Sequence, residues 1–359
     1  MIYIFMTVLA VCFAGLTQYV QSRNIRPHTL KKPLLFFLVF TTFFIICFPA
    51  AVRVDVGTDY WSYVLLYNNP EIFAYAGPGF SAFIEILNNI SSDPRLFFVI
   101  SSIIIYGNIT WSFFKNSRDF AFSLLLFIIM EDYFVSMNVI RQYMAVALLA
   151  PAYIALERDK KIFFFLIVII ASVVFHSSSI ISLGLIFFVI KKRNRFQWIL
   201  SSTILFAATI IFIPTVKYMI ITYTEYGRYF SNSYADEIFS VATPLLMIYI
   251  VLFIITVAAC SGEFLLNSVR ARIFLGAVVF NTCVLILSFF LTQNTYRLSY
   301  IFNIAIAMYF PDILDDISKR SYILQLMIKY SAIVLFSIWT ILLLLHNNQN
   351  ALPYHSIFD

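Results

Sequence analysis

The sequence predicts an all-α, polytopic membrane fold, a transmembrane helical bundle of about twelve crossings, and three observations carry that prediction. The 359-residue chain is 62% hydrophobic and only 12% charged, with a mean hydropathy of +0.89, far outside the soluble globular range. Its apolar runs are mostly long enough to cross a bilayer. Its basic residues fall in short clusters between those runs, which sets topology and makes no nucleic-acid surface, even at a net charge of +6. Cys12, Cys47, Cys260 and Cys283 each sit inside an apolar run, without the paired spacing of a disulfide framework or a zinc site.

Ile2 to Gln18 is expected to be an uncleaved first span with its N-terminus outside, since Arg23, Arg26, Lys31 and Lys32 follow it and no basic residue precedes it. Pro33 to Val52 returns the chain to the outer face. Trp61 to Pro94 is aromatic and amphipathic, broken by Asn68-Asn69-Pro70 and Gly77-Pro78-Gly79, and is expected to lie along the outer interface. Leu96 to Phe114, Phe120 to Ser136 and Met137 to Leu156 then cross in turn. Ile162 to Ile190 lies between two basic clusters and is too long for one span and too short for two full ones, so a hairpin of two short helices with a Ser-rich apex is expected. Gln197 to Ile213, Val241 to Cys260, Ile273 to Leu291, Leu298 to Phe310 and Gln325 to Leu345 complete the twelve. The chain is thus expected to be one integral membrane domain over residues 1–359, with outer-face segments at about 53–95 and 214–240 and a polar outer tail at 346–359.

On that topology the basic residues left outside are Arg53, Arg95, Arg141, Lys217, Arg228 and Arg297, nearly all arginine, out of 24 Lys and Arg in the chain. A guanidinium is a permanently charged planar fork that grips phosphate through two bonds. An anionic ligand at the outer face follows. Arg141 comes one turn after Asn138 and Arg297 follows Asn294 and Thr295, so both are expected at helix N-termini that are already electropositive. Either guanidinium also has an ordinary use, reaching lipid headgroups or pairing with Glu131, Asp132 or Asp59.

Arg53, Asp55 and Asp59 cluster around Gly57 directly after a span, an arrangement that suits a carboxylate near a sugar hydroxyl or a cap on the next helix. His176 is the one histidine inside an apolar run; it suits proton transfer from an acceptor hydroxyl or a helix-packing hydrogen bond. Glu85, Glu131 and Asp132 are further acid candidates. Walker A, dinucleotide, His-Glu-x-x-His and Gly-x-Ser-x-Gly motifs are all missing, so ATP hydrolysis and soluble-cofactor chemistry have no seat, and no cofactor is expected.

Four stretches, in order, resemble the EpsG-like membrane proteins of bacterial exopolysaccharide and O-antigen biosynthesis, which are Wzy-type polysaccharide polymerases. They are Arg53 with Val56-Gly57-Thr58-Asp59-Tyr60 and Tyr63; Asn138 with Arg141-Gln142 and Ala145; Phe175-His176 with Ser178; and Tyr296-Arg297 with Tyr300. The resemblance implies a GT-C-like helical fold in the bacterial inner membrane and no metal requirement. It also implies a polymerase that transfers glycan from undecaprenyl pyrophosphate-linked repeat units to another lipid-linked unit on the outer face. Arg141 and Arg297 would act on the pyrophosphate. His176, Asp59 or Asp55 would act on the attacking hydroxyl, and Arg53, Arg228, Asn138, Gln142, Tyr60, Tyr296 and Tyr300 would contact substrate. The lipid bilayer, a flippase and a chain-length regulator are the implied partners. Many relatives carry an acidic residue before the Pro-Gly-Phe turn, where this chain has Gly77 and so no side chain to act as a base. A flippase for the same lipid-linked sugar and an O-antigen ligase are the competing functions.

Overall fold

The computed structural model describes residues 1–23, 28–69, 77–223, 242–291 and 293–359, and they are helical almost throughout. Among the described residues five helices are long and apolar enough to cross a membrane: Ile2–Ser22, Leu30–Val52, Arg95–Asn116, Val269–Phe290 and Tyr322–Leu345. Two bent pairs, Phe120–Ile129 with Asp132–Asn138 (55°) and Arg195–Ile211 with Ile213–Thr222 (52°), raise the number to seven if each is one span. A helix occupies each of the twelve apolar stretches, but several are short, and one 19-residue helix, Tyr300–Ser318, carries Asp312, Asp315 and Asp316. The chain is therefore a multi-pass, all-α membrane protein, with five to seven helices of span length among its described residues.

The described residues form two compact units, Met1–Leu183 with Tyr330–Asp359, and Gly184–Lys329. In the first, α1 (Ile2–Ser22), α2 (His28–Val52), α3 (Tyr60–Asn68), α4 (Pro78–Ile90), α5 (Arg95–Asn116), α6 (Phe120–Ile129), α7 (Asp132–Asn138), α8 (Ile140–Glu157) and α9 (Lys161–Ile170) follow in order. Helix α1 packs on α2 and α6, α2 on α5, and α5 and α9 on α8. Helix α8 is buried almost all round, because Ala145, Ala147, Ala150 and Ala152 leave room for neighbouring backbones to approach. Beyond α9 a π-helical turn (Ala171–Phe175) ends at His176, whose extended backbone (φ −148°) separates it from a 3-10 helix at Ser177–Gly184. The predicted break in this apolar stretch thus falls at the histidine itself.

Charge divides this unit along its helices. One end holds Arg23, Lys31, Lys32, Lys115, Arg118, Arg158, Lys160 and Lys161. It is tied together by Gln18 donating to the Arg118 carbonyl (3.2 Å) and Asn116 donating to Glu157 Oε2 (2.6 Å). The other end gathers the C-terminus of α2, the N-termini of α1, α5 and α8, and the C-terminal tail, with Arg53, Arg95 and Arg141 as its basic residues. That asymmetry is the pattern of a protein oriented by its basic loops.

The second unit contains α10 (Leu185–Ile190), α11 (Arg195–Ile211), α12 (Ile213–Tyr223), α13 (Ala242–Ala259), α14 (Gly262–Asn267), α15 (Val269–Phe290), a 3-10 turn (Gln293–Ser299) and α16 (Tyr300–Ser318), and it includes the start of α17 (Tyr322–Leu345). Helices α13, α15 and α16 meet at a buried polar knot, where Tyr249 Oη and Asn281 Nδ2 both donate to Asn303 Oδ1 at 2.8 Å. Nearby, Asp312 accepts from Arg270 (3.1 Å) and Asp316 from the Ser261 backbone and hydroxyl (2.6 and 3.0 Å). Amide hydrogen bonds of this kind hold helices together where the apolar surroundings give no preference for one neighbour over another.

Candidate functional site

Arg53 organises the motif end of the first unit. Its guanidinium is buried, 2% exposed, and donates to the carbonyls of Ala50, Val56 (3.2 Å) and Met137 (2.9 Å), with Phe98 at 4.9 Å beneath it. Burial pulls its pKa below the usual guanidinium value, but arginine stays charged at neutral pH. The sequence suggests that Arg53 contacts substrate; in the structure three of its five N–H donors fasten the loop after α2 to itself and to the end of α7. Tyr60 stacks on the same Phe98 ring at 4.5 Å and is itself buried.

Gly57 explains why this loop closes so tightly. Its φ is +106°, and a Cβ there would sit 2.6 Å from Asn138 Oδ1 and 3.2 Å from the Met137 carbonyl. Only glycine combines that backbone with that approach. Gly57→Ala is expected to destabilise the protein by about 2 kcal/mol or more, from the left-handed backbone and the overlap together. A detergent thermal-unfolding curve that matches the wild type would contradict this.

The C-terminal tail closes over the same loop. The Gly57 N–H donates to the Asn350 carbonyl (2.9 Å), Val54 N–H to the His355 carbonyl (3.0 Å) and Ile357 N–H to the Val52 carbonyl (3.0 Å), around an antiparallel bridge between Arg53 and Ser356. Asn138 Nδ2 donates to the Gln349 carbonyl (3.0 Å), Tyr3 Oη to the Ala351 carbonyl (3.0 Å) and Tyr354 Oη to the Pro49 carbonyl (3.0 Å). Sequence reading describes residues 346–359 only as a polar tail. They are a strap across the motif loop, and the run Asn347-Asn348-Gln349-Asn350 is the one sequence feature that hints at it.

Arg141 is the second residue of α8, as its spacing from Asn138 predicts. Its backbone N–H, one of the donors a helix start leaves without an intrahelical partner, is taken by Tyr63 Oη at 3.3 Å. Its guanidinium is half-buried and lies 5.9 Å from the centre of the Phe80 ring. Gln142, next to it, is buried. Phe80 lies in the first turn of α4, and the neighbouring Gly79 packs so closely on the π-helical turn that a Cβ would lie 2.4 Å from Val174 Cα. The first turn of α4 therefore touches Arg141 on one side and the segment leading into His176 on the other.

His176 is half-buried, and its Nδ1 accepts the Ser178 backbone N–H (3.3 Å) and lies 2.6 Å from the Ser178 hydroxyl. A backbone N–H can only donate, so the neutral ring carries its proton on Nε2. The exposed Asp55 accepts the Trp61 indole N–H at 2.6 Å. Asp59 is the N-cap residue of α3, yet its side chain makes no capping bond. Neither carboxylate caps the helix, the ordinary use their positions suggest. Gly77 has φ +90°, so an acidic residue at this position would be strained.

Arg297, Tyr296 and Tyr300 belong to the second unit. Arg297 is exposed in the 3-10 turn before α16, whose N-cap is Ser299, so Asn294 and Thr295 do not serve as the cap. Tyr296 and the buried Tyr300 meet edge to face at 5.6 Å. Arg228 lies outside the described residues. Among the described residues no group of three or more His, Cys, Asp and Glu side chains is placed to hold a metal ion.

No curated protein and no solved structure matches the chain. Residues 36–356 match the EpsG family, a stretch that takes in all four motif segments and the strap as far as Ser356, and the chain belongs to that family.

Proposed function

We propose that this protein is a polysaccharide polymerase of the bacterial inner membrane, a GT-C-like bundle of about twelve crossings acting as one membrane domain. It transfers glycan from an undecaprenyl pyrophosphate-linked repeat unit to a second lipid-linked unit on the outer face. The observation that carries the proposal is the gathering of three of the four motif stretches at the end of one unit that is poorest in basic residues. By the positive-inside rule that end faces outward, where only selected arginines remain.

In the transfer, an acceptor hydroxyl oxygen attacks the anomeric carbon of the donor sugar, the bond from that carbon to the pyrophosphate oxygen breaks, and the pyrophosphate leaves with the electron pair. Arg141 stabilises the growing charge, helped by the N-terminal dipole of α8, and the Nε2–H of His176 offers a second donor. Asp59, with Asp55 beside it in sequence, takes the hydroxyl proton. Arg53, Asn138 and Tyr60 hold the loop that carries these acids. Gln142, Arg228, Tyr296, Arg297 and Tyr300 are proposed as substrate contacts on the family motifs alone, with Arg297 a further charge for pyrophosphate. A flippase and a chain-length regulator supply the donor and set the length.

Deleting the gene is expected to leave glycans of a single repeat on their lipid carrier or core, read by gel electrophoresis of the extracted glycolipids. Accumulation of lipid-linked units on the cytoplasmic side would assign the chain to transport instead.

A further inference from the structure

The first unit has a second feature, at the end of α2 remote from Arg53. A groove of about 440 Å³ opens between α2 and α5, walled by Phe36, Phe40, Phe43, Trp111 and Phe114. The contact of Phe98 with Arg53 shows that the two helices run antiparallel, so Lys32, near the start of α2, and Lys115, in the last turn of α5, share one end of it. Lys115 is held over the rings of Trp111 (4.6 Å) and Phe114 (5.0 Å). Lys31, by contrast, donates to the carbonyls of Gln21 and Arg23.

Thr110 also lines the groove. Its side chain is 1% exposed and its hydroxyl makes no hydrogen bond, although a helical threonine ordinarily donates to the carbonyl four residues back, as Thr41 and Thr42 do. A buried hydroxyl without a partner is costly and points to an acceptor from outside the chain. Aromatic walls, an orphaned donor within and two ammonium groups at one end match the parts of one molecule: an acyl chain, an ester carbonyl and an anionic headgroup. We propose that this groove binds a phospholipid with an anionic headgroup, taken from the leaflet at the basic end of the unit.

The test reads Trp111. The full-length protein is reconstituted in phosphatidylcholine vesicles containing dibrominated phosphatidylglycerol or dibrominated phosphatidylcholine, and the Trp111 signal is taken as wild type minus Trp111→Phe. Quenching by the anionic lipid is expected at a much lower mole fraction than by the zwitterionic one, and Lys32→Gln or Lys115→Gln each lowers that preference about five-fold. Gly107→Leu fills the groove: a Cβ at Gly107 has only ordinary contact, with Phe43 at 3.8 Å, so the variant folds and loses the saturable quenching. Equal quenching by both lipids overturns the site, as does a preference that survives the double lysine change. A Trp111 shielded from both lipids in a dimer means that a second copy covers the groove, and this too overturns it.

Discussion

Arg141→Ala is expected to reduce polymer to single repeats while leaving the protein folded. The guanidinium sits at the second residue of an 18-residue helix, half-buried, its backbone N–H held by Tyr63 and its charge beside the Phe80 ring. A donor fixed in this way is already oriented when charge develops on the leaving pyrophosphate. Removing one such group typically costs about a hundredfold or more in rate. Because no core packing is lost, the thermal transition of Arg141→Ala stays close to that of wild type. Arg141→Lys keeps the charge but not the two-pronged geometry, so its rate falls between the two. Glycolipid gels show the outcome: long ladders from a well-folded Arg141→Ala protein would remove the charge-stabilisation mechanism.

Deleting residues 347–359 is expected to have the largest effect on stability. The deletion takes away the Asn350 and His355 carbonyls that accept from Gly57 and Val54, the Ile357 donor to Val52, and the tail partners of Asn138, Tyr3 and Pro49. At about 1 kcal/mol each the loss is roughly 6 kcal/mol, before counting the cover removed from the Arg53 loop. Polymer formation falls with it, because the carboxylates of Asp55 and Asp59 ride on that loop. Gln349→Ala, which keeps the backbone carbonyl that Asn138 uses, is expected to be much milder. A truncated chain with an unchanged melting temperature and unchanged polymer length would show that the strap is dispensable.

The membrane character, a helix in each of the twelve apolar stretches and the placement of Arg141 at a helix start are legible in the sequence, because they rest on apolar length and on local spacing, whereas α12 (Ile213–Tyr223) runs into the segment expected as a polar loop from residue 214. The break at His176 is legible for the same reason: the run from Ile162 to Ile190 fits neither one span nor two. Roles within the motif loop are not legible in this way. Arg53 is read as a substrate contact from its position after a span, and three of its five N–H donors go to carbonyls, two of them within three residues and one from Met137. Nothing local announces the Met137 contact. The strap is hidden for a similar reason, since its bonds to Tyr3, Val54 and Asn138 join residues hundreds of positions apart, mostly through backbone groups that every residue carries. The tautomer of His176 is a third case. It depends on a bond from the backbone of Ser178, which no local pattern in the sequence announces.

The most direct measurement is single-protein reconstitution: purified protein in liposomes with a defined undecaprenyl pyrophosphate-linked repeat unit, the products separated by length. The wild type is expected to give glycans of two or more repeats together with released undecaprenyl pyrophosphate, and Arg141→Ala at most about a hundredth of that rate. Undecaprenyl pyrophosphate release with no lengthened glycan, or equal rates from the two proteins, would contradict this.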